Sequence, residues 1–241
     1  RVGLAAHGWA VTTPYKAAAA TAATMQAPRV RRAGAANTLI LKPAQVVAEN
    51  TDADGVVGSL ASIDLDPRGS TAVVQGTGGA ARGAAVGLHL AGATVLLRGR
   101  DAPRTGVTAA ALGIGALAPD ARVPKAAVLV NATPLGRDEG EPTPFADSEV
   151  AAAAAVVDMV YGDHPTPLAS RARELDVPLV DGREVLLHQG VAQFAAFAQS
   201  WPTSSLLRSR FACADAESPP AKSTKHSLKN TIDPGSACAI A

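Results

Sequence analysis

Between Thr71 and Asp181, short apolar runs rich in β-branched residues alternate with Ala-rich stretches, and no other feature of this 241-residue chain constrains its fold as strongly. Strands are expected at Thr71–Gln75 (TAVVQ), Ala93–Leu97 (ATVLL), Ala126–Asn131 (AAVLVN), Ala155–Met159 (AVVDM) and Pro178–Val180. Between the first two lies GGAARGAAVGLHLAG, whose Ala and Leu content suits a helix closed by Gly92. Strand, helix and strand in so short a span make a right-handed parallel unit. Its repetition makes a doubly wound parallel sheet, an α/β fold, although periodicity does not rank the strands.

Before Thr71 the pattern changes. A strand at Gly8–Val11 runs into Pro14, which suits the first turn of a helix from Lys16 to about Met25. Asn37–Leu41 (NTLIL) is expected as a strand and Asp54–Ser62 as a helix, together a second, smaller α/β portion. Leu186–Gln199 (LLHQGVAQFAAFAQ) has apolar positions at helical spacing and could pack back on that first portion. The expected organisation is residues 1–65 as a smaller domain, 66–181 as the doubly wound domain, 182–201 as a returning helix, and 202–241 as a tail.

That tail stands apart by composition. Seven of the chain's serines lie in the last 40 residues against six in the first 201, and Lys222, Lys225 and Lys229 crowd there as well. Disorder or sequence foreign to the fold is expected, a shifted reading frame included. Without the tail, 17 basic and 18 acidic residues remain, so the body carries about −1 where the whole chain carries +1. No basic field exists to steer a polyanion and no apolar run is long enough to span a bilayer, which argues against nucleic acid and membrane as partners. Both cysteines, Cys213 and Cys238, fall in the tail. A reducing cytoplasm is the simplest setting. The opening residues lack the pattern of a signal peptide and begin in structured-looking sequence without Met, so an N-terminally incomplete first domain is expected.

Gly76, Gly78 and Gly79, in QGTGGAAR, lie directly after one expected strand and at the mouth of the next helix. Glycines there let backbone approach a pyrophosphate while the helix N-terminus supplies amide donors, the arrangement of a Rossmann-type dinucleotide site; a tight turn is the plainer alternative. The second strand ends in LLRGRD, so Arg98 and Arg100 precede Asp101. Guanidinium forks suit a 2′-phosphate, which favours NADP over NAD, although solvated loop arginines beside a carboxylate would read the same. Lys16 stands in a helix's first turn, where a cation opposes the helix dipole; a functional role would explain the placement, but from spacing alone an exposed lysine whose flexible stem avoids the dipole is the favoured reading. Asp52 follows Asn50-Thr51 and could simply cap a helix. A carboxylate that also reached Lys16 would make a pair able to exchange a proton with a hydroxyl. The histidines show no metal-ligand spacing and no serine sits in G-x-S-x-G, so zinc hydrolysis and acyl transfer have no support.

Seven motifs in order carry a resemblance. VTTPYK (11–16), GAANTL (34–39), NTDADG (50–55), GTGGAAR (76–82), NATPLG (131–136), DMVY (158–161) and DGREVLLHQ (181–189) are similar to the motif series of the shikimate dehydrogenases, over about Val2 to Trp201. The resemblance implies NADP-linked, reversible reduction of 3-dehydroshikimate to shikimate in aromatic amino-acid (chorismate) synthesis, by a cytoplasmic monomer or homodimer. It implies Lys16 and Asp52 as the catalytic pair and Thr12, Asn37, Tyr161 and Gln189 on the substrate. It further implies Gly76, Gly78, Gly79 and Ala80 on the pyrophosphate, Arg98 and Arg100 on the adenosine phosphate, and Asn131 and Thr133 near the nicotinamide. Three departures stand beside it. The family's Ser-x-Ser carboxylate site has no counterpart here, its Asn-Arg-Thr is replaced around Arg98-Gly99-Arg100, and its closing helix gives way to the tail. A quinate/shikimate dehydrogenase of broader range and a non-catalytic dinucleotide-binding remnant are the alternative readings.

Overall fold

The computed structural model describes residues 7–138 and 140–198. The expectations for the tail and the end of the returning helix lie outside them. Two sheets form among the described residues. The first is built from β1 (Gly8–Ala10), β2 (Met25–Gln26), β3 (Thr38–Lys42) and β4 (Gln45–Glu49) in the order β1-β3-β4-β2. Strand β3 runs antiparallel to both β1 and β4, and β2 parallel to β4. Helices α1 (Lys16–Ala22) and α2 (Pro28–Ala33) cover it, with Ala19, Ala20, Val30, Ala36, Leu39 and Ala48 forming a small core of its own.

Helix α3 (Asp52–Leu60) leads through a 3-10 turn (Ala61–Ile63) into the second sheet. Its strands are β5 (Thr71–Gln75), β6 (Thr94–Arg98), β7 (Gly115–Leu117), β8 (Val128–Asn131), β9 (Ala155–Asp158) and β10 (Leu179–Val180), all parallel, in the order β10-β9-β8-β5-β6-β7. Helices α4 (Gly79–Leu90), α5 (Ala102–Leu112), α6 (Asp147–Ala151) and α7 (Pro167–Glu174) connect these strands. The strand order reverses between β5 and β8, and a ligand crevice opens at the carboxyl ends of strands at such a point. Val, Ala and Leu supply nearly all of the two cores on either face of this sheet, as a 3% aromatic content requires.

The structure sharpens three expectations. Pro14 belongs to a turn, with a cis Thr13–Pro14 bond, and helix α1 begins at Lys16 as expected but ends at Ala22, Met25 lying in β2. Strand β4, which completes a hairpin with β3, is not among the expected strands although it carries Val46 and Val47, and the edge strand β7 has no β-branched residue to mark it in sequence. The last helix, α8 (Gly182–Ala198), starts four residues before its apolar periodicity does. It packs along α3, and Gln193 donates to the Asn37 carbonyl (3.1 Å) and to Thr38 Oγ1 (2.9 Å), which ties it to β3.

Candidate active site

Lys16 lies at the first position of α1, and its side chain turns away from solvent toward the start of α3. Nζ donates to both oxygens of Asp52, at 2.8 and 2.7 Å, and the two residues are 8% and 1% exposed. This resolves the oddity of a cation in a first turn: the lysine is held by a buried carboxylate. Asn37 Nδ2 adds a bond to Asp52 Oδ1 (3.1 Å) and another to Thr51 Oγ1 (2.9 Å). Its Oδ1 accepts from the Thr51 amide (2.8 Å) and Thr38 Oγ1 (2.9 Å), so every hydrogen-bonding atom of the Asn37 amide is engaged. Asn50 Oδ1 accepts the Asp52 amide (3.1 Å), while its Nδ2 donates to the Ala35 carbonyl (2.9 Å). Burial pushes the Asp52 carboxyl above its ordinary value, against the pull of Lys16 and Asn37.

Lys16 also lines a cleft of about 640 Å³ between α1 and the carboxyl ends of β5, β6 and β8. Asp52 lies behind it, out of solvent. The opposite wall is the turn Gly76–Gly79. Gly76 has φ 120°, and a Cβ there would stand 3.1 Å from the Ala132 carbonyl. Gly78 has open space where a side chain would project. Such a cradle, at the N-terminus of the twelve-residue helix α4, fits a pyrophosphate. Ala80, Arg100 and Thr133 line the same cleft, as the sequence expectation has it for cofactor residues, and so do Thr77, Arg82 and Arg104, which that reading missed. Arg104 follows Arg100 by four residues across the start of α5, a spacing that could have revealed it. Asp101 caps α5 by accepting from the Arg104 amide at 3.0 Å, so one oxygen of the acid beside the arginines serves the helix.

Arg98 departs from its expected role. Side chains alternate along β6, so Val95 and Leu97 enter one core while Leu96 and Arg98 face the other. There Arg98 meets Glu149 bidentately (2.6 and 3.2 Å), donates to Gln75 Oε1 (2.7 Å) and the Pro144 carbonyl (3.0 Å), and lies 4.8 Å over the Phe145 ring. At 6% exposure it is an internal strut and does not line the cleft.

Tyr161 also stands elsewhere, half exposed in a separate depression of about 250 Å³ formed by residues 160–166 and 181–183. Thr12 is exposed next to the Thr13–Pro14 turn, and Gln189 lies on α8 with its stem against Gly55. Neither lines the cleft. Asn131 is fully buried: it donates to the Leu135 carbonyl (3.1 Å) and Asp158 (3.0 Å) and accepts from Thr133. It therefore shapes the loop that presents Thr133.

No family model matches the chain. Curated relatives named shikimate dehydrogenase (NADP(+)) match the chain. That of Methylobacterium radiotolerans is 42% identical over 203 residues, spanning 79% of this chain and 72% of the relative. That of Acidiphilium cryptum is 37% identical over 190 residues, spanning 78% and 69%. Among solved structures, a shikimate 5-dehydrogenase from Thermus thermophilus, in complex with NADP(H) and shikimate, superposes with a TM-score of 0.75 at 27% identity, over 88% of this chain and 80% of that one.

Proposed function

The chain belongs to the shikimate dehydrogenase family, and on that premise we propose that it works through Lys16 and Asp52 at the mouth of a dinucleotide cleft. It is an NADP-dependent oxidoreductase that interconverts 3-dehydroshikimate and shikimate in aromatic amino-acid synthesis. The observation that carries the residue assignment is the buried Lys16–Asp52 ion pair, whose amine borders the same cleft as the Gly76–Gly79 cradle.

In this reading Gly78, Gly79 and Ala80 would hold the cofactor's pyrophosphate, and Arg100 and Arg104 its ribose phosphate. NADP, when bound, supplies the two-electron acceptor or donor. The chain manages the proton. Two Nζ hydrogens are committed to Asp52, leaving one for a substrate hydroxyl or carbonyl oxygen in the cleft. Lys16 exchanges a proton with that oxygen, and Asp52 fixes the position of the amine and balances its charge. Asn37 holds the carboxylate in place, and Thr12 and Gln189 would bind substrate hydroxyls from beyond the rim of the cleft. Tyr161 would border the substrate from the neighbouring depression.

The same reading takes residues 1–65 as the substrate-side unit, 66–181 as the dinucleotide unit and 182–201 as the helix that rejoins the first. The contacts of α8 with α3 support that last assignment. The enzyme is assigned to the cytoplasm as a monomer or homodimer, without nucleic acid. Among the described residues no helix is long and apolar enough to cross a membrane.

The test is nicotinamide absorbance with purified protein, shikimate or quinate, and NADP or NAD. Turnover of shikimate with NADP is expected. Folded protein that binds NADP without turnover would favour the non-catalytic remnant, and preference for quinate would favour the broader enzyme.

A further inference from the structure

Helix α4 carries glycine at every fourth position, and these glycines meet the segments that hold the Lys16–Asp52 pair. A Cβ on Gly79 would stand 2.8 Å from Lys16 Cβ. One on Gly83 would stand 2.6 Å from Asn50 Oδ1 and 2.9 Å from Nδ2, and one on Gly87 would stand 2.8 Å from Ala53 Cα. The helix that cradles the dinucleotide thus rests on Lys16, Asn50 and Ala53 with no side chain between. Asn50 is the polar member of this seam and is 1% exposed. Its amide lies against Gly83 on one side, accepts the Asp52 N–H at 3.1 Å, and donates to the Ala35 carbonyl at 2.9 Å.

We propose that Asn50 is a positioning residue, setting the Asp52 carboxylate, and through it the Lys16 amine, in register with the cofactor helix. This rests on the function proposed above. The physical reason is that a dinucleotide anchored at the start of α4 moves with α4, whereas the substrate's reacting oxygen is met by Lys16 on the other wall. Reacting groups tolerate little misplacement, and a shift of about 1 Å can cost about 100-fold in rate. Interdigitated side chains can slide by changing rotamer. A bare glycine backbone against a doubly hydrogen-bonded amide has no such freedom, so the seam fixes the distance between the two walls.

The experiment is a cycle of Gly83→Ala, Asn50→Ala and the double variant, with Asn50→Ser as the conservative replacement. For each protein, kcat is measured with shikimate and NADP, and the dissociation constant of NADP is measured without substrate. Gly83→Ala and Asn50→Ala should each lower kcat by about tenfold or more while NADP affinity changes less than about twofold, because the pyrophosphate cradle is untouched. Asn50→Ser, whose hydroxyl can accept the Asp52 amide, should recover most of the loss. Gly83→Ala should cost far less in the Asn50→Ala background than in the unsubstituted protein, since the shorter side chain leaves room for the methyl. Retention of kcat in Asn50→Ala, an equal cost of Gly83→Ala in both backgrounds, or a loss confined to NADP affinity would each overturn the proposal. If Asn50→Ala does not fold, the cycle runs with Asn50→Ser and the same criterion of unequal cost. Should the unsubstituted chain bind NADP and not turn over, the proposed function fails. The seam is then read from the thermal midpoints of the same four proteins with and without NADP. Coupled effects on the NADP-induced shift sustain it, and additive ones refute it.

Discussion

Replacing Arg98 by alanine separates a structural arginine from a cofactor-reading one. The Arg98 and Glu149 side chains are 7% and 18% exposed, and four donor contacts leave the guanidinium for Glu149, Gln75 and the Pro144 carbonyl. Alanine would strand Glu149 as a largely buried charge whose remaining nearby donor is the Ala146 amide at 2.9 Å, and would empty the space above Phe145. Removing one partner of a buried ion pair costs about 3–5 kcal/mol. For a body of this size each kcal/mol moves the thermal midpoint by about 2–4 °C, so a fall of roughly 10 °C is expected. The assay pairs thermal unfolding by circular dichroism with titration of NADP and NAD. Arg98→Ala should unfold early and keep the ratio of the two affinities, whereas Arg100→Ala should keep its midpoint and lose affinity for NADP selectively. An Arg98→Ala protein with an unchanged midpoint and a collapsed preference for NADP would refute the argument from strand parity and burial.

Lys16→Met should lower kcat by about 10²–10⁴-fold with NADP affinity unchanged, since it removes the proposed proton-exchanging group and leaves the cradle intact; initial rates beside a binding titration check this, and an undiminished rate removes Lys16 from its role. Asp158 is buried among neutral donors, Thr166 Oγ1 (2.5 Å), Asn131 Nδ2 (3.0 Å) and the Val160 amide (3.1 Å), and burial raises its carboxyl above the ordinary 3.8. Because the folded value lies above the unfolded one, its stabilising contribution is complete below 3.8 and is lost as pH rises through the raised value. The midpoint of Asp158→Asn minus that of the unsubstituted protein should therefore climb with pH across that window, and a flat difference would refute the shift. Gly182→Ala would drive a methyl into the Val160 carbonyl and should destabilise by at least about 1–3 kcal/mol in urea unfolding. Gly190→Ala, on the same helix with open space around it, should be neutral or stabilising by up to about 1 kcal/mol; equal effects would refute the packing argument.

Much of the second sheet was legible in the chain because its strands are buried on both faces. Val73, Val74, Leu129, Val130, Val156 and Val157 are fully buried, and such strands show as uninterrupted β-branched runs. The Gly76–Gly79 turn was legible for a related reason, since no other residue type satisfies both the positive φ of Gly76 and the close approach beside it. Short strands such as β2 and β7, with two and three residues, carry too little pattern to be found. They form because a neighbouring strand offers them hydrogen bonds.

The order of residue types along the chain determined the α/β class and the glycine turn, and the resemblance of its motifs named Lys16 and Asp52 as a candidate pair. Tertiary structure alone decided what those residues do. Lys16 and Asp52 are 36 residues apart, and only the packing of α1 against α4 and β4 brings its lysine to 2.7 Å from the start of α3. Arg98 and Arg100 are near neighbours of the same chemistry, yet one is an internal strut and the other borders the cleft. The difference is that Arg98 is the last residue of β6, held over the core face where Glu149, 51 residues on, waits beneath it, whereas Arg100 lies in the loop beyond the strand, at the rim of the cleft. Local propensity acts through neighbours in sequence, whereas charge and hydrogen bonding act through neighbours in space.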